Sequence, residues 1–283
     1  MRDQWNIAHE KNCEHVNIDV DKWMDQKPFG FSACIRVYND QDYLRASVES
    51  VIPYADEVIL IPQPSDDDTV KICAELVLEY PEVVKSYLYP YNVFWIETPE
   101  FHELPINSVF HPVFMSNWGL SKCSFSHIIK MEADVILVEE GFRPLIDDVK
   151  RNPEADRALG FCIVNLAGKD HSLYAVDFPR NSGGDELIIN NTIKWRFIRH
   201  QKWEMVNIFQ DGFSCWGWVG YHMKRCKKIH HRGFRDEIWE DFTEANFRIA
   251  AENYAKSHGY YGRDDHSGEP WLFNVPEIER YDG

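Results

Sequence analysis

Short apolar runs alternate with segments of helical spacing through the first half of the chain. We predict buried strands at 31–39, 57–62, 83–89 and 127–131. We predict helices between them at 41–52, 69–79 and 114–123. This alternating order implies right-handed crossovers and therefore an α/β fold with a mostly parallel sheet flanked by helices.

The rest of the chain has a less regular pattern. Residues 1–29 show no sustained period and are expected to form an irregular lead-in. Residues 90–112 have prolines inside the segment and at its ends and are expected to form a long loop. In the second half we predict a strand at 158–166, a loop-rich stretch at 168–192 and a helix at 237–256. Because there is no internal repeat and no linker-like composition, one domain over 1–283 is expected.

Composition bears on the partners, the cellular location and the cysteine chemistry of the protein. The chain of 283 residues has a formal charge of −16, which alone argues against a nucleic-acid partner. No run approaches the roughly 20 apolar residues of a membrane helix, and the N-terminus lacks a secretion signal, so we expect a cytoplasmic protein. The scattered cysteines indicate neither a zinc cage nor a disulfide framework.

The charge is unevenly distributed. Between Lys194 and Arg235, ten Lys and Arg stand against two acidic residues, which gives +8, while the remainder carries −24. The same segment contains Trp195, Trp203, Trp216 and Trp218. A basic, aromatic segment suits an anionic or ring-shaped ligand; a solvated face with core tryptophans is the alternative.

Three polar clusters follow predicted strands, at 36–39, 63–68 and 132–134. Ligands of parallel sheets gather at the carboxyl ends of the strands, so these clusters are expected to converge. Glu132 and Asp134 stand at i and i+2, which directs both carboxylates to one side of an extended chain. Mg²⁺ or Mn²⁺ held by such a pair would suit a nucleotide diphosphate, although an ordinary solvated turn has the same spacing.

Two stretches resemble a known family. RVYNDQDYLRASVESVIPYADEVILIPQPSDDDT resembles the opening of family 2 glycosyltransferases of the GT-A fold, and NWGLSKCSFSHIIKMEADVI resembles their helix and Asp-x-Asp strand end. The match covers about 31–140. It implies a GT-A-type nucleotide-binding sheet with an irregular C-terminal acceptor region: a nucleotide-sugar-binding half at 30–140 and an acceptor-binding half at 141–283.

The resemblance also implies site residues. The donor, expected to be a UDP-sugar, would be bound by Arg36, Tyr38, Asn39, Gln63, Asp66, Asp67, Lys130, Glu132 and Arg235. Asp134 would be the main ligand of Mn²⁺ or Mg²⁺. Two positions depart from the family pattern, since Glu132 replaces an aspartate and Gln63 lies where paired acids are usual. Asp66 and Asp67 either compensate or cap the helix that starts near Thr69.

A late histidine could complete the metal site. The segment at 229–235 resembles a His-x-Gly-aromatic-x-Arg pattern, which implies His231 as a further ligand and Arg235 or Arg232 near the diphosphate. A pair of surface histidines is the alternative. The other histidines, including His222, His258 and His266, are not assigned a role, and most of them are expected to be structural.

The acceptor side offers two candidates for the catalytic base. An inverting transferase needs a carboxylate near the acceptor hydroxyl, and Asp211 and Asp241 both qualify. An acceptor sugar would stack on Trp216 or Trp218, unless these are core residues.

We therefore expect a metal-dependent, inverting hexosyl- or pentosyltransferase. A saccharide or lipid-linked acceptor is favoured over a modified DNA base, because the −24 remainder would repel a duplex. DNA binding would show a strong salt dependence, whereas binding of a neutral sugar acceptor would show almost none. The alternatives are a nucleotidyltransferase, which the missing Gly-rich phosphate loop disfavours, and a non-enzymatic sugar-binding module.

Overall fold

The structure is a computed structural model. It describes residues 4–94, 96, 98–169, 172–175, 180–181, 186–201, 203–209 and 212–225. The helices are α1 (Val20–Met24), α2 (Leu44–Val51), α3 (Thr69–Glu79), α4 (Pro99–Glu103), α5 (Pro112–Leu120) and α6 (Glu139–Arg151). The strands are β1 (Phe31–Val37), β2 (Glu57–Pro62), β3 (Val84–Ser86), β4 (His127–Glu132), β5 (Val135–Leu137), β6 (Ala158–Lys169), β7 (Ser172–Ala175), β8 (Arg180–Asn181), β9 (Leu187–Asn190), β10 (Phe197–His200), β11 (Trp203–Val206) and β12 (Phe213–Arg225).

One large sheet organises the described residues. Its strands follow the order β3-β2-β1-β4-β9-β6-β12-β5, and β3, β2, β1 and β4 are mutually parallel. β9 joins β4 and β6 in antiparallel pairs, whereas β12 is parallel to β6 and antiparallel to β5. The predicted α/β class, with a mostly parallel sheet flanked by helices, is confirmed. β10 and β11 form a separate hairpin.

Both faces of β1, β2 and β4 are buried, as their continuous apolar runs require. Ala33 and Ile35 of β1 face the core formed with α2 and α3. Cys34 of β1 faces the other core, which contains α5. Every residue of α5 is buried, so this helix lies inside the molecule rather than on its surface. The strand and helix predictions in this half are therefore confirmed, with β1 and β3 shorter than expected.

The irregular lead-in is confirmed for most of residues 4–29, but two short elements within it were not predicted. Residues 14–24 carry a short 3-10 turn and α1, and Trp23 is only 1% exposed. Its indole Nε1 donates a hydrogen bond of 2.8 Å to Oδ1 of Asn191, at the end of β9. The segment looks irregular in sequence because its apolar residues follow no period. They are buried by contact with residues that are distant in the sequence.

Three further segments differ from the prediction. The loop expected at 90–112 contains α4 and the start of α5, and the loop-rich stretch at 168–192 contributes β7, β8 and β9. β5 and α6, directly after the carboxylate pair, were not predicted. These elements are short or interrupted, as by Pro144 inside α6, so local periodicity does not reveal them. The helix predicted at 237–256 lies outside the described residues.

Candidate metal centre and donor site

The carboxylate pair lies where β4 ends, in the turn that leads to β5. Ser47 of α2 donates to the carbonyl of Glu132 over 3.2 Å, and Met223 N donates to the carbonyl of Asp134 over 2.8 Å. The turn is thus held from both sides. Asp134 is 4% exposed, so its carboxylate faces the interior.

His222 of β12 completes a cluster with these two carboxylates. The antiparallel register of β12 on β5 pairs His222 with Val135, the residue after Asp134. Possible ligand atoms of Glu132, Asp134 and His222 all lie within 4.8 Å of one another. His222, to which the sequence assigned no role, is thus brought to the carboxylate pair by the fold. A histidine inside an aromatic, apolar run was its only signal in the sequence.

The distances within the cluster suit a shared cation. Nε2 of His222 lies 3.2 Å from Oε2 of Glu132 and 3.2 Å from Oδ1 of Asp134. Despite this proximity, Nε2 has no hydrogen-bond partner of acceptable geometry among the described residues. Two ligands about 2.1 Å from an octahedral ion and at a right angle would be about 3 Å apart. Two carboxylates and an imidazole are also a donor set that Mn²⁺ or Mg²⁺ accepts.

The electrostatics of the cluster explain how it is stable without a cation. Burial by itself would lower the pKa of His222, but the carboxylates of Asp134 and Glu132 outweigh it and raise the pKa to about 10. The imidazole is therefore charged at neutral pH and compensates part of the carboxylate charge. A divalent cation would take the place of that proton.

The two loops that follow β1 and β2 are tied together by side-chain hydrogen bonds. Oδ1 of Asn39 accepts from Asp66 N at 2.8 Å, and Asn39 N donates to Ser65 Oγ at 3.2 Å. Asp67 accepts from Gln41 N and from Thr69 N, at 3.2 and 3.0 Å. The Asp67 carboxylate thus anchors the start of α3, one of the two roles left open for the 66–68 acids.

Asn39 has a feature that a structural role leaves unexplained. It adopts a left-handed conformation with φ of 54°, which asparagine tolerates better than most residues. Its side chain is 4% exposed, yet Nδ2 has no hydrogen-bond partner among the residues described. A buried amide donor without an acceptor costs free energy unless a ligand satisfies it.

Gln63 and Tyr38 hold the same loops. Oε1 of Gln63 accepts a hydrogen bond from Val93 N over 3.0 Å, which ties the chain after β3 to the loop after β2. Tyr38 N donates to Oδ2 of Asp40 over 2.9 Å. Gln63, predicted as a donor-binding residue, thus has a loop-holding contact in this structure.

Two cations lie on the sheet next to the carboxylates. Arg36 of β1 is the register partner of Glu132, and Lys130 precedes Glu132 by two residues on β4. The ring of Phe197 lies 5.6 Å from the Arg36 guanidinium and 5.8 Å from Lys130 Nζ. Lys130 is only 3% exposed.

Trp216 and Trp218, the two tryptophans predicted to stack on an acceptor sugar, lie on β12. Trp218 is half-buried and donates from Nε1 to the carbonyl of Gly220 over 2.8 Å. Trp216 is also half-buried and packs against the core that contains α2 and α3. Asp211, His231, Arg232, Arg235 and Asp241 lie outside the described residues.

Sequence comparisons give no family for this chain. No protein-family model matches it, and no curated protein matches it. Among the described residues, no helix is long and apolar enough to cross a membrane.

Solved structures give distant likenesses. Residues 1–349 of S. aureus TarS match with a TM-score of 0.45 and 11% identity, over 83% of this chain and 73% of that chain. The same protein in complex with UDP-GlcNAc matches with a TM-score of 0.46 and 14% identity, over 83% and 74%. Glucosyl-3-phosphoglycerate synthase from Mycobacterium tuberculosis, in complex with Mn²⁺ and UDP-glucose, matches with a TM-score of 0.43 and 11% identity, over 85% of this chain and 82% of that chain. At such scores, any functional conclusion has to come from the site's own geometry.

Proposed function

We propose that this chain is a metal-dependent glycosyltransferase of the GT-A type that uses a nucleotide-sugar donor. The observation that carries the proposal is the convergence of Glu132, Asp134 and His222 at the carboxyl end of a parallel strand. Carboxylate and imidazole ligands beside donor loops suit a diphosphate whose charge is neutralised by a divalent cation.

The surrounding residues support a donor that carries a nucleotide. The loops at 38–41 and 63–69 follow the parallel strands β1 and β2, and Asn39 Nδ2 is a buried donor that a base or ribose oxygen could satisfy. Arg36 and Lys130 add positive charge on the side of the diphosphate. UDP-sugars are the proposed donors, and the similar structures with UDP-GlcNAc and UDP-glucose suggest them as first probes.

The chemical roles follow from this placement. A bound Mn²⁺ or Mg²⁺ supplies charge neutralisation for the departing nucleoside diphosphate. Glu132, Asp134 and the neutral imidazole of His222 would hold that ion. We assign proton removal from the acceptor hydroxyl to Asp211 or Asp241, and acceptor stacking to Trp216 or Trp218, for a saccharide or lipid-linked acceptor. His231 and Arg235 are further proposed contacts of the metal and diphosphate.

Donor identity can be tested by thermal unfolding with a panel of nucleotide-sugars, with and without Mn²⁺. A ligand that binds only the folded chain raises the unfolding temperature by mass action. We expect a shift for one or a few UDP-sugars that depends on Mn²⁺. No shift with any nucleotide-sugar, while a sugar polymer alone gives one, would favour a binding module instead.

The metal assignment predicts the effect of removing single ligands. Asp134→Asn and His222→Gln should each reduce Mn²⁺ affinity and lower Mn²⁺-dependent donor hydrolysis on the order of 100-fold or more, because charge stabilisation of the leaving group is lost. His127→Gln is the matched control, since His127 is also buried but lies at the opposite end of β4. Unchanged Mn²⁺ titration in both ligand variants would refute the metal centre.

The two candidate bases can be distinguished by measuring sugar transfer and donor affinity separately in each variant. Asp211→Asn and Asp241→Asn each remove one carboxylate with little change in shape. Only the true base should lose sugar transfer while donor affinity stays unchanged, since the base acts on the acceptor. If both variants transfer sugar normally, the assignment of an acidic base to either position is wrong.

A further inference from the structure

The hairpin of β10 and β11 is fastened to the sheet through Arg36. Nη1 of Arg36 donates to Ser116 Oγ of α5 over 2.9 Å and forms an ion pair with Oε1 of Glu204. The Glu204 side chain is 9% exposed and that of Arg36 22%, so the pair is largely shielded from water. Oε2 of Glu204 also lies 3.3 Å from Ser116 Oγ.

The hairpin directs one face towards this pair. Phe197 and Val206, which are register partners, are both buried, and the ring of Phe197 lies against Arg36. Arg199, the register partner of Glu204, instead donates to the carbonyls of Phe101, His102 and Leu104 at the end of α4. Among the described cations, Arg36 is therefore the one that forms an ion pair with Glu204.

Arg36 is also adjacent to the metal ligands. Its register partner across the parallel β1–β4 pair is Glu132, and partners in neighbouring strands lie about 5 Å apart with side chains on the same face. The charge at Arg36 therefore acts on a cation held by Glu132 and Asp134. In the native chain, Glu204 offsets that charge.

We propose that Glu204 is a positioning residue, which holds the Arg36 guanidinium beside Glu132 and balances its charge next to the bound cation. The inference rests on the proposed metal-dependent function and extends it from the sheet to the hairpin. Through Glu204, the hairpin then contributes to the electrostatic potential at the proposed metal site, although none of its residues is a proposed metal ligand.

Opposite changes of charge in the pair should change Mn²⁺ affinity in opposite directions. Glu204→Gln removes one negative charge from the surroundings of the carboxylates and should weaken Mn²⁺ binding about three- to tenfold, the size expected of one partly screened charge. Arg36→Gln leaves a negative charge and should strengthen it by a similar factor. The double variant should bind Mn²⁺ within about twofold of the native chain. Mn²⁺ titration followed by electron paramagnetic resonance measures all three.

A merely structural role predicts a different pattern. If Glu204 only stabilised the fold, both single variants would weaken Mn²⁺ binding and the double variant would be at least as weak; that result would overturn the proposal. Glu204→Asp keeps the charge and should restore near-native affinity. Glu79→Gln is the control, because it removes the carboxylate of another glutamate–arginine ion pair, the one that Glu79 forms with Arg45 between α2 and α3.

A measurement without metal separates the two proposals. Glu204→Gln should speed amide hydrogen exchange in 197–206 relative to Glu79→Gln, since the hairpin loses its ion pair to the sheet. Absence of Mn²⁺ binding by the native chain would refute the metal centre. The exchange experiment would then still decide whether Glu204 holds the hairpin on Arg36, with equal exchange in both variants contradicting it.

Discussion

Two buried histidines show how surroundings set the chemistry of a residue. His222 lies between two carboxylates, and His111 caps α5 by accepting from Val113 N at Nδ1 over 3.1 Å. Burial lowers the pKa of His111 to about 4, with a further contribution from Arg199. His111 therefore stays neutral in the folded chain at pH values where the imidazole of the unfolded chain is already protonated.

This difference predicts a pH dependence of stability. The contribution of His111 is fully present above its ordinary pKa of 6.5 and is lost as the pH falls from there towards 4, because only the unfolded state binds the proton in that window. One pKa unit corresponds to about 1.4 kcal/mol, so the loss is on the order of 3 kcal/mol. Urea unfolding at stepped pH values measures it.

His111→Asn tests the source of that loss. Asparagine is a good N-cap and can accept from Val113 N, but it does not titrate. The variant should therefore lose less free energy of unfolding between pH 6.5 and 4 than the native chain. Identical losses in the two proteins would show that His111 is not responsible.

At the scale of elements, the register of β12 on β5 decides which residues make up the proposed metal centre. Gly220 pairs with Leu137, and His222 follows two residues later opposite Val135. A Cβ at Gly220 would press on the carbonyl oxygen of Ile136 and lie 3.0 Å from Leu137 Cα. Glycine there allows the close approach of the two strands that brings His222 to Asp134.

Gly220→Ala should therefore weaken both stability and metal binding. We expect the free energy of unfolding to fall by about 1–3 kcal/mol through overpacking and Mn²⁺ affinity to fall with it. Gly217→Ala is a control in the same strand, because a Cβ there meets no heavy atom within 4 Å. Urea unfolding and Mn²⁺ titration of both variants give the comparison, and equal effects would contradict the importance of this register.

At the scale of the whole molecule, the N-terminal segment joins distant parts of the chain. Trp23 donates to Asn191, whose own Nδ2 donates to the carbonyls of Cys123 and Phe125 at 3.0 and 2.8 Å. Glu10 accepts from Val109 N over 2.8 Å. These bonds link residues before β1 to the segment between α4 and α5 and to the end of β9, which is itself bonded to the segment between α5 and β4.

Removal of the Trp23 side chain should be costly for the whole fold. Trp23→Ala should lower the free energy of unfolding by about 3–5 kcal/mol, since it leaves a large cavity and an amide oxygen without its donor. Met24→Ala in the same helix is the control: Met24 is 49% exposed, and a surface change costs about 0.5 kcal/mol or less. Equal losses in urea unfolding would show that α1 is not part of the core.

The sequence by itself determined the elements whose signals are local. Apolar runs and helical spacing indicate β1, β2, β4, α2 and α3, and the i, i+2 spacing after β4 indicates paired carboxylates. These patterns need only neighbouring residues, so they can be read without knowledge of the fold.

Only the tertiary structure decided which distant residues join them. His222 reaches Asp134 through the register of β12 on β5, Glu204 reaches Arg36 through the packing of a hairpin, and Trp23 is buried by Asn191. Register between strands far apart in the chain depends on the fit of all the packed side chains and backbone hydrogen bonds together. No local period encodes that fit, which is why the third member of the metal centre emerged from the fold alone.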